Sequence, residues 1–113
     1  MIVDDDRTMG TLLRTLLELE GYAVIVASEG AMVLDAARSE RPDVMLMDVH
    51  LATADGLELL RQLRQDAGLE TLPVIMTSGS NLEDECRRAG ANSFILKPYP
   101  PIELTALLKK VIV

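Results

Sequence analysis

The chain has 113 residues, 49% of them apolar, enough to build one domain that buries roughly 65% of its unfolded surface, which argues against disorder and against a second domain. Its formal charge is −7 with no basic stripe, so direct binding of nucleic acid is not expected. A single cysteine, Cys86, allows no internal disulfide, and neither a signal peptide nor an apolar run of membrane-spanning length is seen; a cytoplasmic location is the expectation.

Short β-type runs alternate with helical stretches five times along the chain. Met1 to Val3 is a brief apolar start that leads into Asp4-Asp5-Asp6, with Asp6 placed to cap the helix that follows. Leu12, Leu13, Leu16 and Leu17 recur at helical spacing, and Gly21 is placed to end that helix. Gly10, near the helix start, has no explanation at this level. Tyr22 to Ala27 reads as a second strand, and Glu29 to Ser39 as a helix with Ala31, Val33, Leu34 and Ala37 turned inward.

Pro42 breaks that helix, and Val44-Met45-Leu46-Met47 is an unbroken apolar run, as in a strand covered on both faces. A third helix spans Gly56 to Asp66, with Leu57, Leu60 and Leu63 on one side. Pro73 opens a fourth strand, Val74 to Thr77, and Leu82 to Ala89 makes a short helix before Gly90. Ser93 to Leu96 is the fifth strand, and Pro101 to Val111 the last helix. Met45, Met47 and Met76 fall in strands as core filler, and Cys86 as a small packing or surface residue.

Strict alternation with short loops predicts a three-layer α/β sandwich, flavodoxin-like, with helices on both faces of a parallel five-stranded sheet. Right-handed crossovers favour the strand order 2-1-3-4-5, which opens a crevice at the carboxyl ends of strands one and three.

Polar residues gather at those ends. Asp4 and Asp5 follow strand one, Asp48 strand three, Ser78 strand four and Lys97 strand five. Adjacent strands lie about 4.8 Å apart, so three carboxylates are expected to converge. Two unit charges about 4 Å apart repel by about 4 kcal/mol at an effective dielectric of about 20, and Lys97 alone does not balance three. A hard divalent ion is the natural remedy. Magnesium favours one or two carboxylates, waters and phosphate oxygens, whereas zinc lacks a Cys or His pair at ligand spacing. A carboxylate can also act as a nucleophile toward a phosphoryl group, with a lysine and a metal neutralising the developing charge and the Ser78 hydroxyl bonding a phosphate oxygen.

The segments Ile2-Val3-Asp4-Asp5-Asp6, Leu46-Met47-Asp48, Asp55-Gly56-Leu57-Glu58-Leu59-Leu60, Pro73-Val74-Ile75-Met76 and Lys97-Pro98 together resemble the receiver domains of two-component response regulators, the chemotaxis-regulator type among them. The resemblance covers essentially the whole chain, residues 1–113, as one receiver unit that a longer regulator would also accommodate. It implies that Asp48 is the phosphoacceptor, with magnesium held by Asp5 directly, Asp4 largely through water, Asp48 itself and the backbone carbonyl of His50. Lys97 would contact the phosphoryl group. Ser78, thirty positions after Asp48, would be the switch hydroxyl, and Phe94 an aromatic that turns inward on activation. The Lys97-Pro98 bond is expected to be cis.

Implied partners are a sensor histidine kinase or phosphotransfer protein, an output domain or effector, and a second copy in a homodimer; the chain would be a signalling module rather than an enzyme. Ala52 stands where the family commonly has proline and Tyr99 where phenylalanine is usual, changes expected to touch no ligand. The stretch from Ser78 to Lys97 is a few residues short, which trims the fourth-helix region. That shortening keeps open a second reading, a pseudo-receiver acting as an interaction module without phosphorylation. His50 and Ser80 are candidates for tuning phosphate lifetime. A phosphatase would need an aspartate at position 50, and a flavodoxin-type carrier a hydroxyl-rich loop in place of Asp4-Asp5-Asp6.

Overall fold

The computed structural model describes residues 1–112. Chain order is β1 (Ile2–Val3), α1 (Arg7–Leu19), β2 (Val26–Ala27), a 3-10 turn (Gly30–Met32), α2 (Val33–Glu40), β3 (Met45–Asp48), α3 (Gly56–Gln65), β4 (Val74–Ser78), α4 (Glu83–Ala89), β5 (Ser93–Leu96) and α5 (Pro101–Ile112). Every strand pairing is parallel, and the sheet order is β2-β1-β3-β4-β5, as the alternation predicts.

The apolar runs work because successive strand residues point to opposite faces. Val3, Met45, Met47, Val74 and Met76 face one way and pack with Val33 and Ala37 of α2, Leu60 and Leu63 of α3 and Cys86 of α4. Ile2, Leu46, Ile75 and Ile95 face the other way, onto Leu13 and Leu17 of α1 and Leu104 and Leu108 of α5. The three methionines expected in the core are fully buried, and so is Cys86, whose thiol burial and the nearby Glu85 push up to about 11.

Asp6 caps α1 as its position suggested, its Oδ1 accepting from the Met9 N–H at 3.1 Å. Gly10 now has a reason: a Cβ there would lie 3.3 Å from Cγ1 of Val26, so its absence lets α1 sit close on β2. Gly21 and Gly90 both have positive φ, and Gly90 closes α4.

Three details differ from the sequence expectation. Only Val26–Ala27 of the Tyr22–Ala27 stretch forms strand, because this edge strand pairs with β1 alone and β1 offers two paired residues. Ala31 is exposed: the chain enters α2 through a 3-10 turn, whose tighter winding turns Gly30 inward instead. Leu12 is 52% exposed, on the outer side of α1.

Arg64 of α3 ties the short α4 region down. Its Nε donates to the Gly90 carbonyl at 2.9 Å, Nη1 to the Leu72 carbonyl at 2.7 Å and Nη2 to Asn92 Oδ1 at 2.9 Å. Burial without a carboxylate partner lowers the Arg64 pKa.

Gly56 begins α3 directly beneath the end of β3. A Cβ at Gly56 would stand 2.3 Å from the Asp48 carbonyl oxygen and 2.9 Å from the Val49 Cα, both backbone atoms that cannot swing away. Gly56→Ala is therefore expected to lower stability by about 2 kcal/mol, overpacking outweighing the roughly 1 kcal/mol helix gain of alanine. Urea unfolding checks this; a midpoint at or above the parent's would show that β3 and α3 separate freely.

Candidate functional site

The carboxyl edge of the sheet carries the polar residues the sequence placed there. Asp4 and Asp5 leave β1, Asp48 and Ser78 are the last residues of β3 and β4, and Lys97 follows β5. Asp4 and Asp48 are 4% and 8% exposed, so each needs compensation. Both find it in the same ammonium: Lys97 Nζ lies 2.6 Å from Asp48 Oδ2 and 3.4 Å from Asp4 Oδ2. The second oxygen of each carboxylate accepts a backbone N–H two residues on, Asp6 to Asp4 Oδ1 at 2.9 Å and His50 to Asp48 Oδ1 at 3.0 Å.

Asp5 is held differently. Among the described residues it forms no ion pair; its Oδ2 accepts from the Ala52 N–H, which leaves Oδ1 open. Ala52 therefore does touch one of the three acidic residues, through its backbone, contrary to the expectation from side chains alone.

The hydroxyls divide cleanly. Thr77 Oγ1 donates to the Ile95 carbonyl at 2.8 Å and is committed to the sheet. Ser78 is fully buried at the crevice edge, and its Oγ accepts from the Ser80 N–H at 3.1 Å. His50 is exposed, and Phe94 is half-buried against the methionine-rich core. Lys97-Pro98 is cis, as expected.

Tyr99, next in sequence, has a buried hydroxyl with no hydrogen-bond partner among the described residues. Burial raises its pKa; Lys97 opposes that, and the charges of Asp4 and Asp48 add to it. No sequence signal announced this orphan beyond tyrosine standing where phenylalanine is usual.

Among the described residues no three His, Cys, Asp or Glu side chains stand close enough to form a ready metal cage. Two of the acids are drawn to Lys97 instead. Magnesium asks for less than a cage, one or two carboxylates with waters making up the rest, and an all-oxygen edge with Asp5 Oδ1 open suits it.

Residues 1–109 match the model of the response regulator receiver domain. The chain belongs to that family. This receiver domain is 36% identical over 115 residues to the alkaline phosphatase synthesis transcriptional regulatory protein PhoP of Bacillus subtilis, covering 99% of this chain and 47% of that protein. It is also 36% identical over 112 residues to the response regulator MprA of Mycobacterium avium, covering 96% of this chain and 48% of the other. It thus spans about half the length of these curated relatives.

Among solved structures, the BeF3-activated N-terminal receiver domain of Klebsiella pneumoniae RstA superposes with a TM-score of 0.88 at 31% identity, over 98% of this chain and 95% of that one. The receiver domain of the Pseudomonas aeruginosa sensor histidine kinase PA1611, which has a magnesium ion in its active site cleft, superposes with a TM-score of 0.89 at 28% identity, over 98% and 93% of the two chains. The domain is accordingly a signalling module of two-component systems.

Two measurements follow from this geometry. Burial alone would lower the Lys97 pKa, but its hydrogen bond to Asp48 and the charges of Asp4 and Asp48 outweigh burial and raise it above 10.5. Stability from this ammonium is fully present below its unfolded pKa and is lost as pH rises through the higher folded value. In a Tyr99→Phe background, which removes the tyrosine titration of the same sign, urea midpoints should fall above about pH 10.5. Lys97→Met should lack that component; identical profiles would show that the pair adds nothing. Tyr99→Phe itself should raise stability by about 1 kcal/mol, since an unmatched buried hydroxyl is removed. A loss of stability on thermal unfolding would mean that the hydroxyl has a partner.

Proposed function

We propose that this receiver domain accepts a phosphoryl group on Asp48 from a phosphohistidine, with magnesium bound at the acidic edge, and passes the change to an output surface. The observation that carries the reading is the 2.6 Å contact between Lys97 Nζ and Asp48 Oδ2 on a carboxylate that ends the central strand. A fixed positive charge stands beside the buried carboxylate that would act as the nucleophile on this reading.

In the transfer, an Asp48 oxygen attacks phosphorus, the P–N bond to the partner's imidazole breaks, and the nitrogen retains the electron pair and takes up a proton. Asp5, Asp48 and the His50 carbonyl, with Asp4 through water, would hold magnesium, which would neutralise charge on the phosphoryl oxygens. Lys97 moves from a carboxylate oxygen to a phosphoryl oxygen with little displacement. The His50 N–H holds Asp48 Oδ1, which leaves Oδ2 as the attacking atom.

Ser78 is the reserve donor. Its oxygen now only accepts, so its proton is available to a phosphoryl oxygen. Drawing Ser78 toward the phosphate pulls Gly79 and Ser80 with it, and Phe94, half-buried, is free to pack deeper. This shifts a population between two arrangements of the α4–β5–α5 side.

The protein donor fits the α1 side. Exposed Leu12, with Met9, Leu16, Pro98 and Tyr99, lines an apolar groove of about 480 Å³ that Lys97 also lines. A helical kinase or phosphotransfer partner resting there would bring its histidine to Asp48. Output would pass to further chain, to a separate effector or to a second copy across the α5 side, where Leu96 and Ile102 are exposed. The placement of the work is cytoplasmic on this reading. Among the described residues no helix is long and apolar enough to cross a membrane.

Incubation with magnesium and a small phosphodonor such as acetyl phosphate tests the reading by intact mass. One added phosphoryl group is expected, absent with EDTA and absent in Asp48→Asn. A folded protein that gains no mass and binds no beryllofluoride would favour the pseudo-receiver instead.

A further inference from the structure

We propose that Gly30, in the turn before α2, is a positioning residue for Asp48, acting through the β3–α3 loop; this rests on the reading of Asp48 as the phosphoacceptor. Gly30 is buried, and a Cβ there would overlap the Cβ of Ala54, with Leu59 Cδ1 next at 3.4 Å. The Ala54 side chain is a single methyl with no torsion to swing it aside, so the backbone of one partner must shift. Gly30 is not among the positive-φ residues, so alanine suits its backbone and only the space is in question.

The loop is the side that yields. The turn leads into α2, whose Val33 and Ala37 are fully buried, whereas Ala52, Thr53 and Asp55 of the loop are exposed. At its base the loop is closed by the Gly56 N–H on the Val49 carbonyl at 2.8 Å, and Gly56 lies close against the Asp48 carbonyl. A push at Ala54 therefore falls on residues 50–55 rather than on β3. Within them His50 and Asp55 pair as an antiparallel bridge, so a shift of Ala54 and its neighbour Asp55 reaches His50.

His50 is where this chain of contacts meets the chemistry, since its N–H holds Asp48 Oδ1 at 3.0 Å. Moving that N–H has two opposed effects. A freed oxygen carries more charge, which favours attack on phosphorus. Asp48 is buried, however, and its other donor among the described residues is Lys97 Nζ. The carboxylate then turns both oxygens toward that ammonium, which ties down and misaims the attacking one. The penalty for a buried acceptor without its donor is the larger effect, so transfer slows.

Four proteins form a cycle: the parent, Gly30→Ala, Ala54→Gly and the double variant. Each is phosphorylated by acetyl phosphate with magnesium, the rate is followed by intact mass, and the His50 amide is followed by NMR. Gly30→Ala, folded by circular dichroism, should gain the phosphoryl group about tenfold more slowly, with a displaced His50 amide signal. With the Ala54 methyl removed the space returns, so the double variant should match Ala54→Gly in both readouts. A merely structural glycine would lower the unfolding midpoint and leave the rate of the folded protein unchanged.

Gly30→Ala at the parent's rate overturns the inference, as does a double variant as far below Ala54→Gly as Gly30→Ala is below the parent. Phosphoryl uptake by the parent keeps Asp48 as the acceptor in either case; no uptake by the folded parent overturns both readings. Should Gly30→Ala alone not fold, the double variant decides. It should fold and match Ala54→Gly, and a double variant that stays unfolded or slow overturns the inference.

Discussion

Three strands that are distant in sequence end at one edge of this sheet, and a single ammonium joins them. Lys97 Nζ reaches Asp48 at the end of β3 and Asp4 after β1 from its own place after β5. Without that cation, two acids of 4% and 8% exposure would face each other in a medium that screens poorly. The parallel order 2-1-3-4-5 imposes the problem, since it sets β1 beside β3 and points their carboxyl ends the same way. It also supplies the remedy, because the loop after β5 lies within a lysine's length of both.

Backbone amides do the remaining work of holding the acids. The Asp6, His50 and Ala52 N–H groups each take one carboxylate oxygen, so the orientation of every acid is written into main-chain geometry rather than into side-chain identity. Gly56 is part of the same construction: with no Cβ it lets α3 start against the Asp48 carbonyl at the end of β3. The site is thus built from loop lengths and close approaches, with few side chains assigned to support.

This explains what the sequence made legible. Strand order, the helix faces formed by Leu13, Leu17, Leu60 and Leu63, and the gathering of Asp4, Asp48 and Lys97 follow from periodicity and from polar residues at strand ends. The 3-10 entry to α2 did not, because Glu29–Ser39 carries a helical pattern whether its first turn is tight or not. The shortness of β2 was hidden as well, since Tyr22, Val24 and Ile25 are strand formers and only the extent of β1 limits their pairing. The Ala52 bond was beyond reach because it involves no side chain at position 52, and the unmatched Tyr99 hydroxyl because its surroundings come from packing alone.

The two faces of the sheet are not built from the same material. Met45, Met47 and Met76 all point toward α2, α3 and α4, whereas Ile2, Leu46, Ile75 and Ile95 point toward α1 and α5. Thioether chains have three soft torsions and refill space readily, while branched aliphatics are stiff. The face toward α2, α3 and α4 therefore carries adjustable methionines beside stiff Val3 and Val74, and can refill small gaps by rotamer changes that the isoleucines of the other face do not offer.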